Sequence, residues 1–192
     1  MPSKALTQWR DASSLALDEI EAAHKKVGGP KPGRRFATQR LTHAYALLLA
    51  SQFQHFCRSL HSEAYFWILA EQKLPPTIET TLHVAATTGR LLDSKNATRE
   101  TIGRDFRVLV LKFWDEVGTH DAHAKTRLEK LDLLNEWRNA IAHHDFTKKN
   151  ASSERLWLRE VQEWRRACNG LAKSMDATVS AALVQLVGKA PW

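Results

Sequence analysis

Apolar residues in this chain recur every three or four positions, segment after segment, and nowhere alternate with polar residues over the length of a strand. That period belongs to helices, whose core-facing side chains repeat every 3.6 residues. The clearest stripe is Leu128, Leu131, Leu134, Trp137 and Ile141. A second runs through Leu41, Tyr45, Leu48, Leu49, Phe56 and Leu60, and a third through Val161, Trp164, Cys168, Leu171 and Met175. Gly and Pro gather at Gly28-Gly29-Pro30-Lys31-Pro32-Gly33 and at Pro75-Pro76, where they punctuate the pattern. The expected fold is all-α: an up-and-down bundle of four to five main helices in a single domain, 1–192. Helices are expected over about 4–27, from 38 to before Pro75, over 78–88, over 96–118, and over about 125–143. A long C-terminal helix is expected over about 153–187, capped by Ser152 or Ser153, with Glu154 facing its N-terminal dipole and a kink at Asn169-Gly170. A basic Gly/Pro loop fills 28–37, and His120 to His123 form another loop.

With 192 residues, 43% of them hydrophobic and 26% charged, such a chain buries a core without help from a metal or disulfides. Cys57 and Cys168 have no paired spacing, and the first residues lack a signal-peptide apolar stretch, so thiols in a cytoplasmic protein are expected. The longest apolar run, Ala44 to Ala50, falls far short of the ~20 residues that cross a bilayer, so no membrane is expected as a partner. The net charge of +7 suits a polyanion: RNA, DNA or an acidic protein. Lys25, Lys26, Lys31, Arg34, Arg35 and Arg40 follow one another with no acidic residue between them. They read either as an arm that tracks phosphates, with Lys31, Arg34, Arg35 and Arg40, and separately His144, as candidate RNA-binding residues, or as a loop kept soluble by its charge. The seven tryptophans do not interleave with these residues, and Trp137 and Trp164 fall at core positions, so they read as packing.

One charge breaks the pattern. At about 100° per residue, Arg138 falls inside the apolar sector that Leu131, Leu134, Trp137 and Ile141 define. A guanidinium keeps its proton, so it needs a carboxylate, a way out to solvent or a polyanion. The plain alternative is a snorkelling or paired arginine, with Glu63 on the second helix as the candidate partner. Asn139 and His143 share another face, about 140° from Arg138, so a straight helix does not bring Arg138 and His143 together. Either the helix ends at His143 and lets the imidazole swing back towards Arg138, or residues from two copies of the chain complete one site. His143, His144 and Asp145, with His120 and His123, also offer nitrogen and oxygen atoms to a metal, but no zinc-hydrolase spacing accompanies them. No metal and no cofactor are expected.

The stretch from Leu134 to Phe146, with Arg138, Asn139 and His143 late in an apolar-striped helix, resembles the R-x(4–6)-H motif of the HEPN superfamily, and most closely its RiboL-PSP-HEPN-like branch. The second helix, with Phe53, Phe56, Cys57, Arg58, Leu60, His61 and Glu63, is more loosely similar. The resemblance implies a helical bundle that dimerises through its motif helices and acts as a metal-independent endoribonuclease. Arg138 and His143 would be catalytic and Asn139 would orient His143 or bind a phosphate oxygen. It further implies a toxin–antitoxin or antiviral defence setting, with a cognate antitoxin or regulatory protein as a possible partner. Histidine, with an unperturbed pKa near about 6.5, suits either proton transfer in RNA cleavage, and arginine suits the phosphorane. The rival expectation is a non-catalytic nucleic-acid-binding or regulatory helical module.

Overall fold

The longest stripe becomes the axis of the molecule. In the computed structural model, which describes residues 1–28, 35–147 and 155–192, the chain is all-α. The elements are α1 (Lys4–Gln8), α2 (Ser14–Gly28), α3 (Arg35–Glu71), α4 (Pro76–Thr87), α5 (Leu91–Ser94), α6 (Arg99–Phe106), α7 (Phe113–His120), α8 (Ala124–His143) and α9 (Leu158–Val187). At ~1.5 Å per residue, α3 spans ~55 Å and α9 ~45 Å. Helices α3, α8 and α9 pack on one another, with α1 and α2 laid against α3, and α7 against α9.

Most of the stripes of α3, α8 and α9 are buried where these three meet, with Leu41, Leu48 and Trp137 half-buried. On α3, Tyr45, Leu49, Phe53 and Leu60 are fully enclosed. On α8 the core residues are Leu128, Leu131, Leu134 and Ile141, and on α9 Val161, Trp164, Cys168, Leu171, Met175 and Val179. Burying such side chains is the main source of stability, at about 1.5–3 kcal/mol each. Cys57 and Cys168 are free thiols inside this core, and burial pushes both up from the ordinary thiol value. Among the described residues no helix is long and apolar enough to cross a membrane.

Several boundaries differ from the sequence expectation. The first helix is interrupted by a π-helical turn over Trp9–Ser13, where the Trp9 indole is buried and donates to Asn169 Oδ1 at 3.0 Å. Helix α3 begins at Arg35, three residues before the expected start. The single helix expected over 96–118 is two helices, with a corner between Phe106 and Phe113. The corner satisfies the same apolar spacing by another route: it folds Phe113 back onto Phe106, ring centroids 4.6 Å apart. His120 closes α7. Helix α9 begins at Leu158, not near 153, because Glu160 Oε2 accepts the Trp157 N–H at 2.9 Å and caps it there. Ser152, Ser153 and Glu154 lie outside the described residues. Helix α9 continues as one helix through Asn169-Gly170. Gly170 is needed for close approach: a Cβ there would overlap the guanidinium of Arg127, which is paired with buried Asp121.

Candidate functional site

Helix α8 carries Arg138, Asn139 and His143 in its last two turns. Its end is built by a left-handed residue. His144 has φ 50° and ψ 33°, and the Asp145 N–H reaches back to Ala140 O at 3.0 Å. This is the six-to-one bond that satisfies the terminal carbonyls of a helix. His143 is thus the last helical residue. Both His143 and His144 are exposed, and Arg138 is half-buried.

Arg138 enters a cleft of about 360 Å³ between α8, α3 and the segment joining α5 to α6. Helix α3 contributes Leu47, Ser51, Gln54 and Arg58, a row spaced four, three and four that faces α8, with Ala50 beside it. Asn96 comes from the α5–α6 segment and Asn135 from α8, one turn before Arg138. No carboxylate lines the cleft. Arg138 donates to Asn139 Oδ1 at 3.1 Å, and the same oxygen accepts Asn96 Nδ2 at 2.7 Å. Among the described residues Arg138 makes no ion pair. Arg58 meets Asp93 only at 3.8 Å, a carboxylate already held by Arg90 through two bonds of 3.0 and 3.1 Å.

Glu63 is not the partner of Arg138. Its two carboxylate oxygens accept the Lys4 and Ala5 N–H groups, each at 2.9 Å, and cap α1. This is the chemistry a helix N-terminus invites, and it ties α1 to α3. Arg138 and His143 share no hydrogen bond, and α8 stays helical between them, so the ~140° separation persists within one chain. The four histidines weighed as metal ligands do not converge. His123 precedes the first turn of α8 and His143 ends the last, ~30 Å apart along the axis. Among the described residues no three His, Cys, Asp or Glu side chains form a metal-holding group.

Of the basic segment, Lys31, Arg34 and the Arg35 side chain lie outside the described residues. Arg40 is exposed on α3, on the helical row that leads to Leu47 about 10 Å further along. His43, one turn beyond Arg40, stacks on Phe146 with centroids 5.8 Å apart and lies against Trp137 at 6.3 Å. Trp164 packs beneath at 6.5 Å, so Trp137 is a packing residue. Sequence reading did not assign Gln54, Asn96, Asn135 or Arg58 to a site. Two spacings carried the signal: the polar row Ser51, Gln54, Arg58 at steps of three and four on α3, and Asn135 one turn before Arg138 on α8. Comparison with protein-family models, curated proteins and solved structures finds no significant match to this chain.

Proposed function

We propose that the chain is a metal-independent endoribonuclease of HEPN-like type that works as a homodimer. The observation that carries this reading is Arg138: a guanidinium without a carboxylate, open to solvent in a polar cleft, held by Asn139 on the helix that ends at exposed His143. Holding a charge half-buried and unpaired is costly unless a ligand completes it. In the reaction, the ribose 2′-oxygen loses its proton to a base and attacks the adjacent phosphorus. The P–O5′ bond breaks, and an acid protonates the leaving 5′-oxygen. His143 supplies one of the two proton transfers, and Arg138 grips the phosphate and offsets the charge that builds on its oxygens. Because Arg138 and His143 diverge on one helix, His143 of a second copy completes the cleft. A toxin or antiviral defence role, held in check by an antitoxin or regulatory protein, fits such an activity.

Incubating the purified protein with single-stranded RNA in EDTA tests the reading. Fragments ending in 2′,3′-cyclic phosphate and 5′-hydroxyl are expected, with none from Arg138→Ala or His143→Ala. Growth arrest on expression, relieved by Arg138→Ala, is the matching result in cells. A second reading draws on the same ~140° separation: in a monomer, Arg138 binds a phosphate and His143 takes no part. A monomer in light scattering that binds but does not cut RNA favours this non-catalytic module.

A further inference from the structure

The amide side chains around Arg138 have only one consistent orientation. Gln54 Nε2 faces two backbone carbonyls, Leu92 O at 2.7 Å and Lys95 O at 2.9 Å. Asn135 Nδ2 faces Ala97 O and Leu131 O, each at 3.0 Å. A carbonyl only accepts, so both nitrogens must point that way. Asn139 Oδ1 accepts from Arg138, which makes Asn96 Nδ2 the donor in the Asn96–Asn139 bond. Gln54 and Asn135 therefore spend both N–H groups on the protein, and Asn96 spends one of its two. The oxygens of Gln54, Asn96 and Asn135 are left with no protein donor among the described residues. Two guanidiniums, Arg58 and Arg138, line the same cleft; Arg138 makes no ion pair among the described residues, and Arg58 meets only Asp93, at 3.8 Å, a carboxylate that Arg90 already holds.

The cleft thus suits a ligand that carries both an anionic group and hydrogen-bond donors. Its volume, about 360 Å³, lies at the small end of ligand pockets, about 300–1,000 Å³, and so suits one nucleotide unit. We propose that this cleft is a ribonucleotide-binding subsite in which Arg58 and Arg138 share one phosphate and the amide oxygens accept ribose hydroxyls. The choice of ligand rests on the ribonuclease reading. The assignment of Arg58, from a different helix, is new to that reading, and it makes the site selective for RNA over DNA, since the 2′-hydroxyl is the donor that DNA lacks.

The experiment uses His143→Ala protein, so that the probe stays intact, and a fluorescein-labelled ten-nucleotide single-stranded RNA beside DNA of the same sequence. Anisotropy titrations are run from 50 to 200 mM salt. RNA is expected to bind about tenfold more tightly than DNA. Adding Arg58→Gln is expected to weaken RNA binding about tenfold and to lower the salt slope by about one phosphate contact. Asn96→Ala is expected to narrow the gap between RNA and DNA. Equal affinities for RNA and DNA, or an Arg58→Gln protein with unchanged affinity and slope, would overturn the proposal. The two readings fail separately. If the parent cuts RNA in EDTA and Arg58→Gln changes neither binding nor cutting, the subsite is wrong and the nuclease stands. If Arg58→Gln loses binding but the parent never cuts, the subsite stands and the nuclease falls.

Discussion

Two arginines on neighbouring helices meet opposite fates. Arg165, on α9, donates to Asp18 at 2.6 Å, Glu21 at 3.1 Å, Tyr45 at 3.4 Å and Ser14 O at 3.2 Å. Gln162 also donates to Glu21 at 2.9 Å, and the Tyr45 hydroxyl donates to the other carboxylate oxygen. Burial works against the charge on Arg165, but its bonds to Asp18 and Tyr45 more than reverse that, holding the guanidinium above its ordinary value. Burial likewise raises Glu21, and the bonds from Tyr45, Gln162 and Arg165 outweigh it and leave that carboxyl below the usual range. Arg138 has one neutral amide oxygen. The sequence alternative offered for Arg138, a structural arginine locked to a carboxylate, is realised by Arg165 instead. A guanidinium held by two carboxylates, a hydroxyl and a carbonyl ties helices together, and one that meets a single amide oxygen keeps donors available to a ligand.

The contrast predicts different losses from the same substitution. Arg138→Ala should reduce RNA cleavage by about 10²- to 10³-fold, with little change in melting temperature. Arg165→Ala leaves Glu21, 16% exposed, without its cation. It should cost about 3 kcal/mol, or about 10 °C in melting temperature for a chain of this size, while the folded fraction keeps its cleavage rate. Equal losses of stability in the two variants would erase the distinction. Glu63→Ala, which removes the acceptors of two N-terminal amides on α1, should cost about 1 kcal/mol in chemical denaturation and leave cleavage unchanged. Loss of cleavage would return Glu63 to the side of Arg138.

The smallest effect sharpens the same contrast in a histidine. His61 is buried against Tyr65 and Phe106, with no partner at Nδ1. Burial, then the Arg90 charge, holds its pKa below the ordinary 6.5. The stability of the neutral form is complete above about pH 6.5 and is lost as pH falls below it, because the unfolded chain binds a proton that the fold resists. His24, also lowered by burial, adds in the same direction. Melting temperature should therefore decline between pH 7.5 and 5.5, with a shallower slope in His61→Phe. An unchanged slope would show that protonation of His61 is not what the fold resists.

What the sequence made legible is what neighbours along one helix decide. The stripes on α3, α8 and α9 were readable because burial follows a 3.6-residue period, and Arg138 stood out because it violates that period. The corner between Phe106 and Phe113 was not, since those residues keep the same spacing whether the helix continues or folds back. The start of α9 was misplaced because serine is the commoner cap, whereas here Glu160 reaches back to Trp157. Glu63 was misassigned because its partners, Lys4 and Ala5, lie nearly sixty residues away. The cleft draws on three separated segments, and only their packing brings Arg58 and Asn96 beside Arg138.

His144 holds a backbone conformation that L-residues other than asparagine and aspartate enter at a cost of about 1 kcal/mol, and that glycine enters freely. A side chain there also leaves the peptide few alternative shapes, where glycine would leave many. The bend after α8 is therefore stiff, and the imidazole of His143 sits on an anchored stem, its reach set by its own side-chain rotation rather than by fraying of the helix end.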